Sequence, residues 1–128
     1  MAAISTYLAN KLLDHSLRNV AYTPPSTVYL ALYTSNPGPG DTGTEVSGGG
    51  YARQAVSFNP ASGGQVVNSV DVVFPAATAA WGTVTHVGVK DAATGGNLLF
   101  YAALSTPKTI DAGDQLKLPA GQLSFSMA

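Results

Sequence analysis

The hydrophobic positions of the chain change period once, near residue 27. Before that point Ile4, Leu8, Leu12, Leu13 and Leu17 gather on one broad helical face, while Lys11, Asp14 and Arg18 gather on the other. The spacing predicts an amphipathic helix over about 4–18, capped by Ser5 or Thr6. Asp14 and Arg18 at i,i+4 add slight support, and Pro24-Pro25 bars continuation because proline has no amide donor and restricts the residue before it. From Thr27 on the period is two. Val28, Leu30 and Leu32 alternate with Tyr29, Ala31 and Tyr33; both sets are apolar, which predicts a central strand.

Further strands are separated by turn chemistry. Residues 35–50 are rich in Gly and Pro and read as a long surface loop. Tyr51 to Phe58 alternates, with Ala52, Val56 and Phe58 opposite Tyr51, Arg53 and Ser57, and ends at the turn 59–64. Gln65 to Phe74 places Val66, Val70, Val72 and Phe74 inward, interrupted by Asn68, and leads through an alanine-rich stretch to Trp81, a candidate plug for one end of the core. Thr83 to Lys90 and Asn97 to Leu104 form a hairpin across Asp91–Gly96, where Gly95 and Gly96 supply positive φ. Ser105 to Ile110 and Gln115 to Leu118 flank the turn Asp111–Asp114, and Gln122 to Met127 closes the series. The expectation is a mainly β fold: an antiparallel β-sandwich, jelly-roll or Ig-like, of about seven or eight strands with one N-terminal amphipathic helix. At 128 residues it is read as one domain, 1–128, with residues 1–20 as a helical arm.

Composition narrows the function classes. Charged residues are 10% of the chain, the net charge is −1, and the six Lys and Arg residues are scattered, so no basic stripe exists for tracking phosphates and no nucleic-acid partner is expected. Without cysteine there is no disulfide, thiolate site or cysteine nucleophile. The N-terminus lacks the basic and apolar regions of a signal peptide and no stretch has the length of a membrane span, so a soluble chain without a membrane partner is expected. So weakly charged a surface favours association, because little repulsion or hydration keeps copies apart.

Chemistry is sparse. His15, on the polar side of the helix, and His86, within a strand, have no partner at metal-ligand spacing, and Gly-x-Ser-x-Gly is absent. Asp111 with Asp114 and Asp41 with Glu45 are the nearest carboxylate pairs, each in a turn-like segment where aspartate bonds backbone amides. Gly48-Gly49-Gly50 precedes a strand rather than a helix, unlike a phosphate cradle. No catalytic, cofactor-binding or metal-ligating residue is assigned, no cofactor is expected, and an enzyme is disfavoured. The six tyrosines and Trp81 suit sugar stacking or interfaces, although most such rings serve the core.

The order of segments resembles a family of small bacteriophage virion proteins. Tyr7-Leu-Ala-Asn-Lys-Leu-Leu-Asp-His15, Val28-Tyr-Leu-Ala-Leu-Tyr-Thr34, Glu45-Val-Ser-Gly-Gly-Gly-Tyr-Ala-Arg-Gln-Ala-Val56, Phe74-Pro-Ala-Ala-Thr-Ala-Ala-Trp-Gly-Thr-Val-Thr-His86 and Asp91-Ala-Ala-Thr-Gly-Gly-Asn-Leu-Leu99 carry the likeness, which covers nearly the whole chain. Members are tail-fibre-like proteins of tailed phages, and a small globular chain of this kind also suits a head decoration or cement role. The resemblance brings no catalytic residue. It implies a non-enzymatic structural protein, assembled in the host cytoplasm into the virion. Its expected partners are copies of itself, as a trimer or another cyclic homo-oligomer, and the major capsid protein or tail proteins. Candidate assembly contacts are Ile4, Tyr7, Leu8, Lys11, Leu12, Tyr51, Arg53 and Trp81. The alternative is a carbohydrate-binding receptor-recognition module.

Overall fold

The computed structural model describes residues 2–126. Among these, the chain order is β1 (Ala2–Ile4), α1 (Thr6–Leu17), β2 (Val28–Tyr33), β3 (Gln54–Val56), β4 (Gln65–Val67), β5 (Val72–Val73), β6 (Gly82–Lys90), β7 (Leu98–Ile110), β8 (Lys117–Leu118) and β9 (Ser124–Ser126). The fold is mainly β and wholly antiparallel, as the period-two pattern requires. A five-stranded sheet runs β1-β7-β6-β2-β3, and the ribbons β4-β9 and β5-β8 supply a second layer without closing a barrel.

The register explains the core. Leu30 pairs with Val89 and Val89 with Phe100; Leu32 pairs with Val87 and Val87 with Ala102, so these side chains share one face of the sheet. That face packs on Val66, Val72, Phe74, Leu116, Leu123 and Phe125 in a single apolar cluster. The Phe125 ring lies 5.6 Å from Phe100 and 5.9 Å from Phe58, fixing the outer ribbon to the sheet. On the opposite face Tyr33 and Lys90 are buried beneath the 35–50 loop, so β2 is central, as its two apolar faces predict.

Nine strands form where seven or eight are expected, and three boundaries account for the difference. The helix starts at Thr6, not near residue 4, because the Ser5 side chain accepts from Leu8 N and Ser5 N donates to Leu99 O, which leaves Ile4 in β1 opposite Phe100. It ends at Leu17, well before the prolines, where Asn19 turns left-handed at φ 58° and Val20 N reaches back to Asp14 O. The Gln65–Phe74 segment breaks into β4 and β5 at Asn68, and Val70, expected inward, is exposed. Asn68 itself is buried: its amide donates to Val70 O and Pro119 O and accepts from Leu123 N, stapling this corner to the 119–123 turn. Conversely, 97–104 and 105–110 fuse into β7, whose pairing with β6 is irregular between Val84 and His86. The segment 51–58 contributes only Gln54–Val56, with Phe58 in an isolated bridge to Asn68.

The helix faces also differ from the expected single broad face. Leu8 is buried and Leu12 packs partly on the core, but Leu13 and Leu17 are 55% and 78% exposed. Each of these two lies five positions beyond Leu8 or Leu12, which at 3.6 residues per turn is roughly 140° around the helix. The apolar positions therefore divide into an inner and an outer stripe.

Candidate functional site

The polar side chains converge at the loop that crosses β2. Glu45 lies beside the end of β2, where Tyr33 and Glu45 form an isolated bridge and Val46 N donates to Leu32 O. Arg53, just before β3, meets Glu45 as a fork: its Nε donates to Oε2 and its second terminal nitrogen to Oε1, both at 2.8 Å. Its other terminal nitrogen donates to Ala92 O and Gly95 O, each at 2.8 Å, and so ties the β6–β7 hairpin to the 45–53 segment. The Tyr51 hydroxyl donates to Glu45 Oε2 at 2.7 Å and accepts from Leu32 N at 3.0 Å. Bidentate geometry and near-complete burial of the Arg53 side chain make this a strong pair, unlike the exposed Asp14–Arg18 contact.

A second ion pair lies beside it. Lys90 is 4% exposed and its ammonium contacts Asp41 Oδ2, while the Tyr33 hydroxyl donates to Asp41 Oδ1 at 2.9 Å. Asp41 is held there by a left-handed backbone, φ 56°, after Thr42 N donates to Pro37 O. Two acids of the 35–50 loop are thus each paired to a base of the sheet or its margin. The electrostatics follow from these contacts. Burial alone would raise the Glu45 carboxyl, but hydrogen bonds from Arg53 and Tyr51 outweigh it and hold the pKa below the ordinary glutamate value. Burial and the neighbouring carboxylates push the Tyr33 and Tyr51 phenols well above theirs, so both are neutral hydrogen-bond donors.

At the end of the same loop, the Gly48–Gly50 run is a packed turn. All three glycines have positive φ, between 60° and 80°. Gly49 O accepts from Trp81 Nε1 and from Thr78 N, both at 2.9 Å. Trp81 in turn stands edge-on to Tyr51, with ring centroids 5.5 Å apart, and Tyr51 stacks on Phe74 at 6.2 Å. Above this frame is an open groove of about 470 Å³, lined by Glu45, Ser47, Tyr51, Arg53 and the hairpin residues Ala93–Gly95.

Of the residues singled out in the sequence, the structure brings Tyr51, Arg53 and Trp81 together, and their polar groups bond within the chain. Trp81 plugs one end of the core as its position suggests, at 5% exposure. On α1, Tyr7 and Leu12 are half-buried and Leu8 is buried, and Ile4 packs from β1. Lys11 is exposed, its ammonium 5.7 Å from the centre of the Tyr7 ring. The carboxylate candidates separate likewise: Asp114 accepts from Asp111 N within their turn, and Asp41 and Glu45 each take a cation. His15 faces solvent with its ring against Val20 O, and His86 bonds Thr85. Among the described residues no group of three His, Asp or Glu could hold a metal ion, and no helix is long and apolar enough to cross a membrane. The sequence reading missed Asn68 as a staple, and Lys90, which stands on the face of β6 opposite Val89 and is buried there through its contact with Asp41 of the loop.

The polar groups of this constellation bond within the chain. The family model for Podophage GP4 fiber I protein gp80 matches residues 3–126, which is nearly all of the fold described above. The chain belongs to that family. It is thereby placed among phage tail-fibre-like virion proteins, as the resemblance implies. No curated protein matches the chain. The gp80-family match runs through both ion pairs, the Trp81 plug and the helix, so the loop latch lies within the family region rather than in an appended segment.

Proposed function

We propose that this gp80-family chain is a non-enzymatic building block of the tail-fibre apparatus of a tailed phage, made in the host cytoplasm and incorporated as an oligomer. The observation that carries the reading is the family match from residue 3 to residue 126, end to end over the described fold. The geometry is in keeping with it. The acids and bases nearest the groove neutralise one another and fasten the 35–50 loop and the β6–β7 hairpin, so a rigid surface is built. Low overall charge lets such a surface pack against neighbours on a particle. Residues with free side-chain surface, Lys11 and the half-buried Tyr7 among them, remain assembly contacts in this proposal, whereas Leu8 and Trp81 act by supporting the surfaces around them.

Electron microscopy of purified virions with a labelled antibody against this chain tests the proposal. Label confined to the tail is the expected result. Label spread over the head would overturn the tail-fibre reading in favour of a decoration or cement protein on the major capsid protein. A carbohydrate-binding role has one feature in its favour, the open groove edged by Glu45, Ser47 and Thr94. A glycan array with the purified chain checks it, and under the scaffold reading no glycan is retained.

A further inference from the structure

We infer that Lys90 and Asp41 form a covalent cross-link, in which the lysine amine condenses with the aspartate carboxyl to an amide and joins the 35–50 loop permanently to β6. Such a bond needs only the folded chain, so it holds whether that chain serves on the tail or on the head. Three groups from separate segments meet there. Lys90 Nζ is 2.5 Å from Asp41 Oδ2, and the Tyr33 hydroxyl on β2 donates to Oδ1 of the same carboxyl at 2.9 Å. The lysine is buried and is flanked across the sheet by Tyr29 and Leu98. Two positions before it on the same face, a Cβ on Gly88 would stand 2.8 Å from Leu98 Cδ1 and 2.9 Å from Tyr33 Cε1, so apolar atoms fill the space beside it. Asp41 N donates to Gly38 O and Thr42 N to Pro37 O, which fixes the carboxyl against the sheet.

Burial makes the pair reactive. Two charges withdrawn from water are costly, and passing one proton from Nζ to Asp41 Oδ2 converts them to a neutral amine and a neutral acid. The amine lone pair then attacks Cγ, which the fixed geometry keeps within reach at a high effective concentration. As the Nζ–Cγ bond forms, an electron pair moves onto Oδ1, where the Tyr33 hydroxyl already donates, so the developing oxyanion meets a placed donor. Collapse restores the carbonyl and breaks the Cγ–Oδ2 bond. Oδ2 leaves as water, carrying the proton passed first and a second proton from Nζ. The product is a neutral amide, no atom is oxidised, and no co-reactant is needed. The ion pair is the reactant, and its energetics are those of the chain before the bond closes. In a chain without cysteine, the amide gives a permanent link between residues 49 positions apart where no disulfide can form.

The test is the intact mass of the purified full chain, held folded at neutral pH. The expected mass is lower than that of the sequence by one water molecule. Trypsin should then fail to cut after Lys90, and residues 19–53 should be recovered joined to residues 54–108. The double variant Asp41→Asn with Lys90→Met, whose fold circular dichroism can verify, should keep the full mass. Tyr33→Phe keeps both reacting groups and should close about a hundredfold more slowly, the effect of removing one oxyanion donor. A wild-type chain that keeps the full mass after prolonged incubation, or a loss of water that persists in the double variant, would overturn the inference. A Tyr33→Phe chain that closes at the wild-type rate would overturn the role given to the phenol.

Discussion

At the scale of single residues, burial of a lysine is the feature with most at stake. Lys90 ends β6 on the face that carries Tyr33, and its charge is tolerated because Asp41 comes down from the loop to meet it. Replacing Asp41 by Asn leaves the ammonium buried without a counter-charge and weakens the acceptor of the Tyr33 hydroxyl. The expected cost is about 3 kcal/mol in urea unfolding. Adding Lys90→Met to Asp41→Asn should recover most of that loss, since it removes the buried charge while the asparagine still offers the Tyr33 hydroxyl an acceptor and tolerates the left-handed backbone. Little of this was legible in the sequence. A lysine closing a strand reads as a solvated end, and 49 residues separate it from its partner, so no local period links them. Asn68 was visible only as an interruption among valines, because its partners Pro119 and Leu123 lie 51 and 55 residues further along the chain, in the turn between β8 and β9. Asn68→Ala should cost about 2 kcal/mol, measured the same way, as it leaves the buried Leu123 N without its acceptor and removes two further bonds to Val70 O and Pro119 O.

At the scale of elements, local signals were read well where local physics decides. The two apolar faces of β2 predicted a central strand, and the glycines of the β6–β7 hairpin have the positive φ expected of them. Boundaries set by distant partners were not readable. Ile4 obeys helical spacing with Leu8, yet β7 captures it as a strand residue, and Ser5 then caps the helix. Ser5→Ala should therefore cost about 1 kcal/mol and fray the first turn, visible as faster amide exchange at Leu8. From sequence alone the triple glycine is only a run that precedes a strand, whereas in the structure its turn has a fixed shape. A Cβ on Gly49 would stand 2.9 Å from both Ala79 O and Trp81 Nε1, at a φ of 60° that side chains adopt reluctantly. Gly49→Ala is expected to displace the indole and cost about 2 kcal/mol. Trp81 is the only tryptophan, so a red shift of its fluorescence reports the displacement directly.

For the whole molecule, scarcity of charge makes a few groups decide how stability depends on pH. Ten per cent of residues are charged, and the two loop acids sit in internal ion pairs rather than in a solvated shell. General charge repulsion is therefore a small part of acid unfolding, and groups whose affinity for protons changes on folding dominate. Glu45 is one: the folded chain holds its carboxyl below the ordinary value because Arg53 and Tyr51 favour the ionised form over the cost of burial. The unfolded chain binds that proton first as pH falls. Its contribution is hence complete above the unfolded glutamate pKa, about 4.3, and is lost as pH drops through the lower folded one. Asp71, held down by Ala120 N and Lys117, acts with the same sign from the surface. Glu45→Gln removes the titrating group while leaving oxygen and nitrogen for partial hydrogen bonding. The variant should be less stable than wild type at neutral pH, and the gap between their urea midpoints should close steadily below pH ~4. A gap that stayed constant into acid would mean that Glu45 holds the loop by shape alone. A closing gap makes the Glu45–Arg53 fork the point at which acid first loosens the 45–53 segment from the β6–β7 hairpin, ahead of the apolar core beneath it.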